Sequence, residues 1–478
     1  MSAALDRSAV AAPARRPRIV HIGLGAFHRA HQAWYTAKAN SEWGITAFTG
    51  RSATAAAALA PQGGLYTLVT RGPEADEFEV VDSILAAHDG NNLPLLTEKL
   101  ADPATAILTL TITEAGYRMA AGAGAPRLDL ADPAVAADLA ELADAYDGRV
   151  FAPSALGAAQ LVLRTVPARI LVGLAARRAG DGWPLAVVSC DNLPDNGSVA
   201  EASIVALAEQ IDGQLADWIR ENVSFVDTSI DRITPRTTGA DVATVAAATG
   251  FADASPVVTE PFSSWVLCGD FPAGRPDWEK AGAQFVAELE PFERRKLWLL
   301  NGAHTLMSFA GQLRGHQTVA QALADEQVSG WVEEFWDAAA AHLQEPELDI
   351  PGYRRALRAR FENPRIAHHL AQIAMDGSIK LAARALPVYR AERDAGRDGH
   401  AALRLIAAWC EQLAAQHAAG TPIADANAEA LVAVLDDASL EAGSTAQSAA
   451  LVAIIDSRLA GEAEAVDAIT ALRPGFAN

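Results

Sequence analysis

Polar residues that could perform acid–base chemistry are concentrated in one short segment, PFERRKLWLLNGAH, at residues 291–304. A lysine shielded from water is a suitable general base for alcohol oxidation, because desolvation lowers the pKa of its amine towards neutrality. An asparagine amide can donate a hydrogen bond to a developing alkoxide or carbonyl oxygen, as in an oxyanion hole. Lys296 and Asn301 are therefore the candidate base and oxyanion donor. The alternative is a solvated lysine on the polar face of an ordinary helix.

The spacing within this segment is expected to be that of an α-helix, since Pro291 suits a first helical turn. At 100° per residue, Lys296 and Asn301 are about 140° apart. Lys296 and His304 are about 80° apart and roughly 12 Å apart along the axis, so both could contact a sugar-sized ligand lying along the helix. Gly302 costs roughly 1 kcal/mol relative to alanine inside a helix, which predicts that another group approaches the backbone there.

Three further polar residues stand at the ends of predicted elements. Asn192 follows the strand Leu185–Ser189 in the segment CDNLP and is the natural second oxyanion donor. Asp231 in DRITP could bind substrate hydroxyls, or could pair locally with Arg232. Lys380 in DGSIK could extend towards the same cleft, or could be an exposed lysine behind a plain helix cap.

A glycine turn follows the first predicted strand, Arg18–Ile22. Its two glycines, Gly23 and Gly25, would let backbone N–H groups approach a pyrophosphate, with a helix beginning near Phe27. The third glycine of the usual dinucleotide fingerprint is absent, and His28 stands in its place. The pattern alone fits either a dinucleotide site or an ordinary strand–helix turn. Its position at the start of an α/β domain favours the dinucleotide site.

The second predicted strand, Ile45–Thr49, is not followed by the acidic residue that usually binds the ribose hydroxyls of NAD. Arg51 stands there instead and is a candidate cofactor-binding residue. An arginine at this position can stack on adenine or contact the 2′-phosphate of NADP. These residues therefore leave both NAD and NADP open.

Neither a metal site nor a disulfide is expected. His21, His28 and His31 do not share one helical face, and no carboxylate cluster accompanies them, so a packing or hydrogen-bonding role is predicted. The three cysteines lie far apart in sequence and form no CxxC pair. Reduced, mostly buried thiols of this kind are typical of a cytoplasmic protein.

Strands that alternate with helical stretches predict an α/β fold with a Rossmann-like, doubly wound N-terminal domain. The apolar run at 106–113 suits a strand buried on both faces of a parallel sheet. From Glu290 onward, apolar residues recur at helical spacing, which predicts a mainly α-helical C-terminal domain. We expect a flexible leader at 1–17, a dinucleotide-binding domain at 18–289 and a helical substrate-binding and catalytic domain at 290–478.

Charge limits the classes of partner. The chain has 478 residues and a formal net charge of −21 at pH 7. An acidic surface repels phosphate backbones and anionic lipids, which argues against nucleic acid and membranes as partners. No run of about 18 apolar residues is present, so no membrane span is predicted. We expect a protein that acts on a small molecule as a monomer or a small homo-oligomer.

Blocks of sequence from about residue 18 to about residue 390 resemble the polyol-specific long-chain dehydrogenases, the family of mannitol 2-dehydrogenase and fructuronate reductase. In chain order they are IVHIGLGAFHRAHQAWYT, QGGLYTLV, TLTITEAGY, SCDNLPDNG, IDRITP, EPFSSW, FPAGRPDWEKAGAQFV, KLWLLNGAH and RFENPRIAHHLAQIAMDGSIK. Together they are far more specific than the glycine turn alone. The C-terminal segment beyond them carries no matching block.

The resemblance implies metal-independent hydride transfer between NAD, or NADP, and a carbonyl of a sugar chain. It implies that Lys296 is the base in oxidation and the acid in reduction, and that Asn192 and Asn301 form the oxyanion hole. The other matched positions are the substrate-binding residues His304, Asp231 and Lys380 and the cofactor-turn residues Gly23, Gly25 and Phe27.

The chain departs from the family pattern in three places, one of which is the CGD segment at residues 268–270, where the family usually has more acidic residues. Ala115 stands where the family usually has a lysine, and Gln372 stands where mannitol 2-dehydrogenases have an arginine. Fructuronate reductases resemble this chain at Gln372, which favours NAD-dependent reduction of D-fructuronate to D-mannonate. The alternatives are mannitol 2-dehydrogenase or another polyol dehydrogenase, oxidation of a phosphorylated sugar or sugar acid, and a non-catalytic NAD-binding sensor. A carboxylate substrate requires a cation in the pocket, and Lys380 or an arginine of the helical domain is the candidate.

Overall fold

The computed structural model describes residues 2–10, 13–39, 42–122, 124–151, 161–180 and 182–476. The chain divides into two compact units, Met1–Leu289 and Glu290–Asn478. The first unit is built around a large β-sheet, and the second is mainly helical.

A mostly parallel sheet forms the centre of the first unit. In chain order, the strands of this unit are β1 (Ala3–Ala4), β2 (Arg16–Ile22), β3 (Trp43–Phe48), β4 (Tyr66–Arg71), β5 (Asp76–Val81), β6 (Ile84–His88), β7 (Ile107–Leu110), β8 (Leu185–Ser189), β9 (Val223–Asp231), β10 (Phe251–Ala252), β11 (Val257–Thr259), β12 (Ser264–Cys268) and β13 (Gln284–Phe285). Eight of them form one sheet in the order β13–β12–β9–β8–β7–β2–β3–β6. All neighbouring pairs in this sheet are parallel except β9 and β12.

The order of the strands reverses at β2. The chain adds β3 and β6 on one side of β2, and then returns to place β7, β8 and β9 on the other side. The connections from β2 and β7 therefore diverge, which opens a crevice at the carboxyl ends of these two strands. This arrangement confirms the predicted Rossmann-like, doubly wound domain.

Both faces of the central sheet are buried, because successive side chains of a strand point to opposite faces. On β2, Ile19 belongs to one apolar core, which also contains Ile107 and Val188. Val20 and Ile22 belong to the other core, with leucines of β7. The continuous apolar runs read from the sequence are thus explained by helices on both faces.

Helices cover these two faces. The helices of the first unit are α1 (Ala26–Ala30), α2 (Gln32–Lys38), α3 (Thr54–Leu59), α4 (Leu93–Ala101), α5 (Pro133–Ala145), α6 (Val166–Ala179), α7 (Asn196–Ile211), α8 (Gly213–Asn222) and α9 (Gly239–Thr249). Of these, α9 packs through Val245 on a separate three-stranded sheet of β11, β4 and β5. Local sequence fixes several of their starts. In α6, for example, the Thr165 side chain accepts a hydrogen bond from the backbone N–H of Ala168, and Pro167 occupies the first turn.

The described residues of the leader are packed against the first unit, although the sequence predicts a flexible segment there. Leu5 is only 2% exposed. Arg7 donates to the main-chain oxygens of Gly63 (2.8 Å) and Asp82 (2.9 Å), and Arg15 pairs with the Asp82 carboxylate at 2.8 Å. Composition alone did not reveal these anchors, because they are single residues in an otherwise unpatterned stretch.

The second unit surrounds a central buried helix. Its α-helices are α10 (Glu290–Arg295), α11 (Ala303–Leu313), α12 (Val319–Ala324), α13 (Glu326–Ala340), α14 (Ile350–Phe361), α15 (Leu370–Ala374), α16 (Gly377–Arg384), α17 (Leu386–Asp394), α18 (His400–Ala418), α19 (Ala428–Asp436), α20 (Thr445–Ile455), α21 (Ser457–Ala460) and α22 (Ala463–Leu472). Every residue from Ala303 to Gly311 is buried. No helix in the described part of the chain is long and apolar enough to cross a membrane.

The segment Lys296–Gly302 is π-helical, which differs from the α-helix expected from its spacing. A π-helix bonds residue i to residue i+5, so Lys296 and Asn301 lie on one face rather than about 140° apart. Side chains supply extra donors to this stretch. Trp336 Nε1 donates to the Leu299 oxygen at 2.7 Å, and Thr305 Oγ1 donates to the Asn301 oxygen at 2.9 Å. Trp336 lies 37 residues further along the chain than Leu299, so periodicity within the segment could not reveal its hydrogen bond to the π-helical stretch.

Gly302 is the point at which another group meets this backbone, as its mid-helix position predicts. A Cβ atom at Gly302 would overlap the ring of Phe335, 2.8 Å from Cζ. The aromatic ring therefore packs directly on the main chain at the end of the π-helical stretch.

We predict that Gly302→Ala lowers the free energy of unfolding by about 1–3 kcal/mol, because the new methyl group overpacks against Phe335. The matched control is Gly330→Ala on α13, where a Cβ would have no neighbour within 4 Å. That variant should gain up to about 1 kcal/mol from helix propensity. Urea-induced unfolding followed by circular dichroism measures both changes. Equal stabilisation of the two variants would contradict the proposed packing at Gly302.

Candidate active site

The glycine turn lies at the point where strand order reverses. Gly23 has a φ of +108°, and a Cβ there would lie 2.7 Å from the carbonyl carbon of Thr111. Thr111 Oγ1 donates to the Gly23 oxygen at 2.9 Å, which ties the loops after β2 and β7 together. Gly25 has an extended backbone (φ −135°), which any residue can adopt. A Cβ atom at Gly25 would meet the Gly23 oxygen at 3.5 Å among the described residues, so the absence of a side chain leaves open space beside the turn. The turn therefore exposes its main chain to a ligand.

A cavity of about 900 Å³ lies against this turn, within the first unit. Its lining includes Gly23, Gly25 and Arg51, and no Asp or Glu occurs among the described residues that line it. In a chain with 59 acidic residues, this local absence creates a site suited to phosphate groups. The six lining arginines are Arg29, Arg51, Arg118, Arg164, Arg169 and Arg236.

Most of these arginines also hold the walls of the cavity. Arg169 Nη1 donates to the main-chain oxygens of Gly50 (3.1 Å) and Gly90 (3.2 Å), which fixes the loops after β3 and β6. By contrast, Arg51 and Arg236 are exposed and make no ion pair within the described part of the chain. Their guanidinium groups are therefore the ones available to an anionic ligand.

Phe27 and the nearby histidines pack inside the first unit. The Phe27 ring stacks on His31 at 5.2 Å, and Phe27 is not among the residues that line the cavity. His21 stacks on His28 at 3.3 Å, and its Nδ1 lies 2.9 Å from Thr109 Oγ1. Burial lowers the pKa of His21 to about 3, so this ring is neutral. In the described residues, no group of three or more His, Cys, Asp or Glu is placed to hold a metal ion.

Asn192 and Asp231 stand beyond the carboxyl ends of neighbouring strands. Asn192 is exposed in the loop after β8, and Asp231 is half-buried at the last position of β9. Because β8 and β9 are parallel to each other and to β2, both residues lie at the same edge of the sheet as the glycine turn. The guanidinium of Arg232 donates to the main-chain oxygens of Ala30 and Glu260.

Asp191 connects two loops at the carboxyl ends of the strands, a role that was not predicted from the sequence. Its carboxylate accepts hydrogen bonds from the N–H groups of Ile112 (3.0 Å) and Thr113 (2.7 Å) and from the Tyr117 hydroxyl (2.7 Å). These bonds join the loops after β7 and β8, and Thr113 is held at a φ of +67°. Burial raises the pKa of Asp191, and the hydrogen bonds oppose that shift. The sequence offered one indication of this role, since Asp191 directly precedes the candidate site residue Asn192.

Lys296, Asn301 and His304 follow one another along the π-helical stretch and α11 in the second unit. Lys296 and Asn301 are half-buried, and His304 is buried. The His304 ring lies 4.6 Å from Phe361 and 4.8 Å from His368. Burial lowers the pKa of His304 well below its ordinary value, and nearby positive groups add to the shift. A neutral His304 can both donate to and accept from sugar hydroxyls.

Lys380 and Arg384 lie one turn apart on α16, and the structure brings Arg384 to the π-helical stretch. Lys380 Nζ donates to the Ile373 oxygen at 2.9 Å. Arg384 Nη1 donates to Thr305 Oγ1 at 2.9 Å and lies 3.5 Å from the Asn301 oxygen. Burial, followed by the Arg384 charge, lowers the pKa of Lys380. Arg384 was not predicted from the sequence, although its i,i+4 spacing from Lys380 places both on one helical face.

Comparisons with known proteins match this description over nearly the whole chain. The model of the mannitol dehydrogenase Rossmann domain matches residues 17–280, and that of the mannitol dehydrogenase C-terminal domain matches residues 288–471. The chain is 37% identical to a D-mannonate oxidoreductase of Escherichia coli, over 82% of this chain and 79% of the relative. It is 33% identical to a mannitol 2-dehydrogenase of Cereibacter sphaeroides, over 86% of this chain and 83% of the relative.

A solved structure shows the same architecture. The ternary complex of Pseudomonas fluorescens mannitol 2-dehydrogenase with NAD and D-mannitol superposes with a TM-score of 0.74 at 32% identity, covering 96% of this chain and 92% of that one. Both halves of the chain thus match the same family, and the protein belongs to the mannitol dehydrogenase family of NAD-dependent oxidoreductases that act on CH–OH groups.

Proposed function

We propose that this protein interconverts D-fructuronate and D-mannonate, the ketone and secondary-alcohol forms of a sugar acid, with NAD as the cofactor. The observation that carries this choice is the similarity, over 82% of the chain, to a D-mannonate oxidoreductase. Gln372 supports the same substrate, because mannitol 2-dehydrogenases have an arginine at that position. We also propose the domain roles expected from the sequence: residues 18–289 bind the dinucleotide, and residues 290–478 bind the substrate.

The residues of the first unit fit a dinucleotide. Gly23 and Gly25 expose main-chain groups to the cavity, and the guanidinium groups of Arg51 and Arg236 are available for phosphates. When bound, the dinucleotide supplies the hydride in reduction and accepts it in oxidation. We assign Phe27 a supporting role, since it packs on His31 beside the turn.

We assign the proton transfer to Lys296. In reduction its ammonium group gives a proton to the substrate oxygen as the ketone carbon gains the hydride, and in oxidation its amine removes the hydroxyl proton. We assign Asn192 and Asn301 the role that the family resemblance implies, hydrogen-bond donation to an oxygen where negative charge develops. His304, Asp231 and Lys380 bind the remaining oxygens of the sugar chain.

A mannitol 2-dehydrogenase is the second candidate function. The similarity to two mannitol 2-dehydrogenases, one of them solved with D-mannitol, favours it. The two candidates differ in the group at the end of the carbon chain, a carboxylate in one substrate and a neutral hydroxymethyl group in the other.

A cofactor-linked substrate screen separates the two candidates. Purified protein is assayed for the change in NADH and NADPH absorbance with fructuronate, tagaturonate, fructose, mannitol and arabinitol. We expect the highest kcat/KM with fructuronate. Turnover of fructose or mannitol without turnover of fructuronate would replace the proposed function with that of a polyol dehydrogenase.

Lys296→Ala should leave NADH binding nearly unchanged and reduce turnover by about 10²- to 10⁴-fold, because it removes the proton donor and acceptor. NADH fluorescence titration measures binding, and steady-state kinetics measure turnover. Lys280→Ala is the matched control, since Lys280 is an exposed lysine paired with Asp277 on the surface.

The outcomes of this substitution also separate an enzyme from an NAD-binding sensor. Full turnover in Lys296→Ala would remove Lys296 from the proton-transfer role. No turnover of any substrate by the unsubstituted protein would favour the sensor.

In the unsubstituted enzyme, the rate of oxidation should rise with pH as Lys296 deprotonates. His304 is already neutral, so its titration does not contribute to this rise. An oxidation rate that stayed flat from neutral to strongly alkaline pH would contradict this assignment.

Arg51→Ala tests which cofactor group Arg51 contacts. If Arg51 meets a 2′-phosphate, kcat/KM with NADPH should fall by about tenfold or more while the value with NADH changes little, because a charge-assisted hydrogen bond is lost. We expect this pattern, with NADH remaining the better cofactor. An equal loss with both cofactors would contradict the 2′-phosphate contact and assign Arg51 to a group that NADH and NADPH share, the adenine ring or the pyrophosphate.

A further inference from the structure

Arg384 is the last residue of α16 and lies beside the main chain of Asn301. Its Nη1 donates to Thr305 Oγ1 at 2.9 Å and lies 3.5 Å from the Asn301 oxygen. The guanidinium therefore lies within one side-chain length of the Asn301 amide. The other two nitrogens of Arg384, Nε and Nη2, make no hydrogen bond to any residue that the structure describes.

No carboxylate of the described chain neutralises Arg384. Burial lowers its pKa to about 10, and no acidic residue among those that the structure describes offsets the shift. Arginines farther along the chain behave differently, since Arg390 pairs with Asp456 and Glu462, and Arg393 pairs with Glu464. A half-buried guanidinium without an acidic partner is costly unless an anion arrives to pair with it.

The neighbours of Arg384 make its surroundings more positive. Lys380 lies one turn away, and its nearby acids, Asp376 and Asp425, are themselves engaged. The Asp376 carboxylate accepts from the N–H of Ala426 at 3.0 Å, and the Asp425 carboxylate accepts from the N–H of Ser378 at 2.9 Å. A local excess of positive charge in a chain of net charge −21 is the expected surrounding of a site for an anionic group.

We propose that Arg384 binds the carboxylate of the sugar-acid substrate through Nε and Nη2 and thereby selects sugar acids over neutral ketoses and polyols. This inference rests on the proposed reaction at Lys296 and Asn301. The planar fork of a guanidinium matches a carboxylate in a bidentate arrangement, whereas a hydroxymethyl group gains only an ordinary hydrogen bond. A phosphate group is the other anion with suitable chemistry, and the test includes it.

The first test compares substrates in Arg384→Gln. The kcat/KM for fructuronate should fall by about 100-fold, mainly through KM, while the value for fructose changes less than about threefold. Arg384→Lys keeps the charge but loses the fork, so it should recover only part of the fructuronate activity. Arg393→Gln is the matched control, because Arg393 lies on the surface of α17, and it should leave both substrates unchanged.

A structural role for Arg384 predicts a different result. If Arg384 only positions the Asn301 backbone, kcat falls equally for both substrates, and the proposal is overturned. If Arg384→Gln does not fold, as judged by circular dichroism, Arg384→Lys and Arg384→Ala with added guanidinium serve in its place. Guanidinium that restores fructuronate turnover but leaves fructose turnover unchanged supports the carboxylate contact, and no selective rescue contradicts it.

The experiment also separates this proposal from the proposed function. If the unsubstituted enzyme turns over mannitol but not mannonate, the proposed function fails, and inhibition by mannonate then becomes the readout. If mannonate inhibits the unsubstituted enzyme and inhibits Arg384→Gln more weakly, the carboxylate site at Arg384 is supported. If no sugar acid inhibits the unsubstituted enzyme, the carboxylate site is contradicted. Fructose 6-phosphate as the preferred substrate, with the same dependence on Arg384, would assign the residue to phosphate and overturn the proposal.

Discussion

The ring of Phe335 packs against the backbone at Gly302 and so holds the end of the π-helical stretch, which carries Lys296 and Asn301, against α13. The glycine ends a π-helical stretch whose carbonyl groups receive hydrogen bonds from Trp336 and Thr305. In this geometry Lys296 and Asn301 lie on one face. Short π-helical segments within α-helices are frequent at functional sites. Here the segment places a candidate base and a candidate oxyanion donor, both half-buried, on one face of the same element.

The sign of the charge differs between the chain as a whole and the candidate binding regions. The chain carries 59 acidic and 38 basic residues, yet the cavity at the glycine turn is lined by six arginines and no described acid. In the second unit, Arg384 and Lys380 form a second positive region. The net charge therefore argues against polyanionic macromolecules without preventing the binding of small anions, because nearby groups dominate the field inside a site.

Much of the fold followed from the sequence, because its signals are local. Buried parallel strands appear as β-branched runs, and Gly23 was found because a pair of glycines directly after such a run is typical of a turn that approaches a pyrophosphate. The structure adds that Gly23 has a positive φ. The close approach at Gly302 was also found, since a glycine inside a helix requires a reason.

The parts that sequence did not reveal depend on residues far apart in the chain. The π geometry relies on Trp336, and the role of Asp191 relies on N–H groups of a loop about 80 residues earlier. In the sequence Arg384 is one of several helical arginines, and only the structure shows that α16 lies beside Asn301. The anchoring of the leader by Arg7 and Arg15 was missed for the same reason.

The proposed reaction requires Lys296 and Asn301 to act together on the π-helical stretch. A double-mutant cycle of kcat with Lys296→Ala, Asn301→Ala and the double variant tests it most directly. Residues that act together give strongly non-additive losses, so the double variant should be about as slow as the slower single variant. A double variant whose loss equals the product of the two single losses would show independent residues and contradict the account.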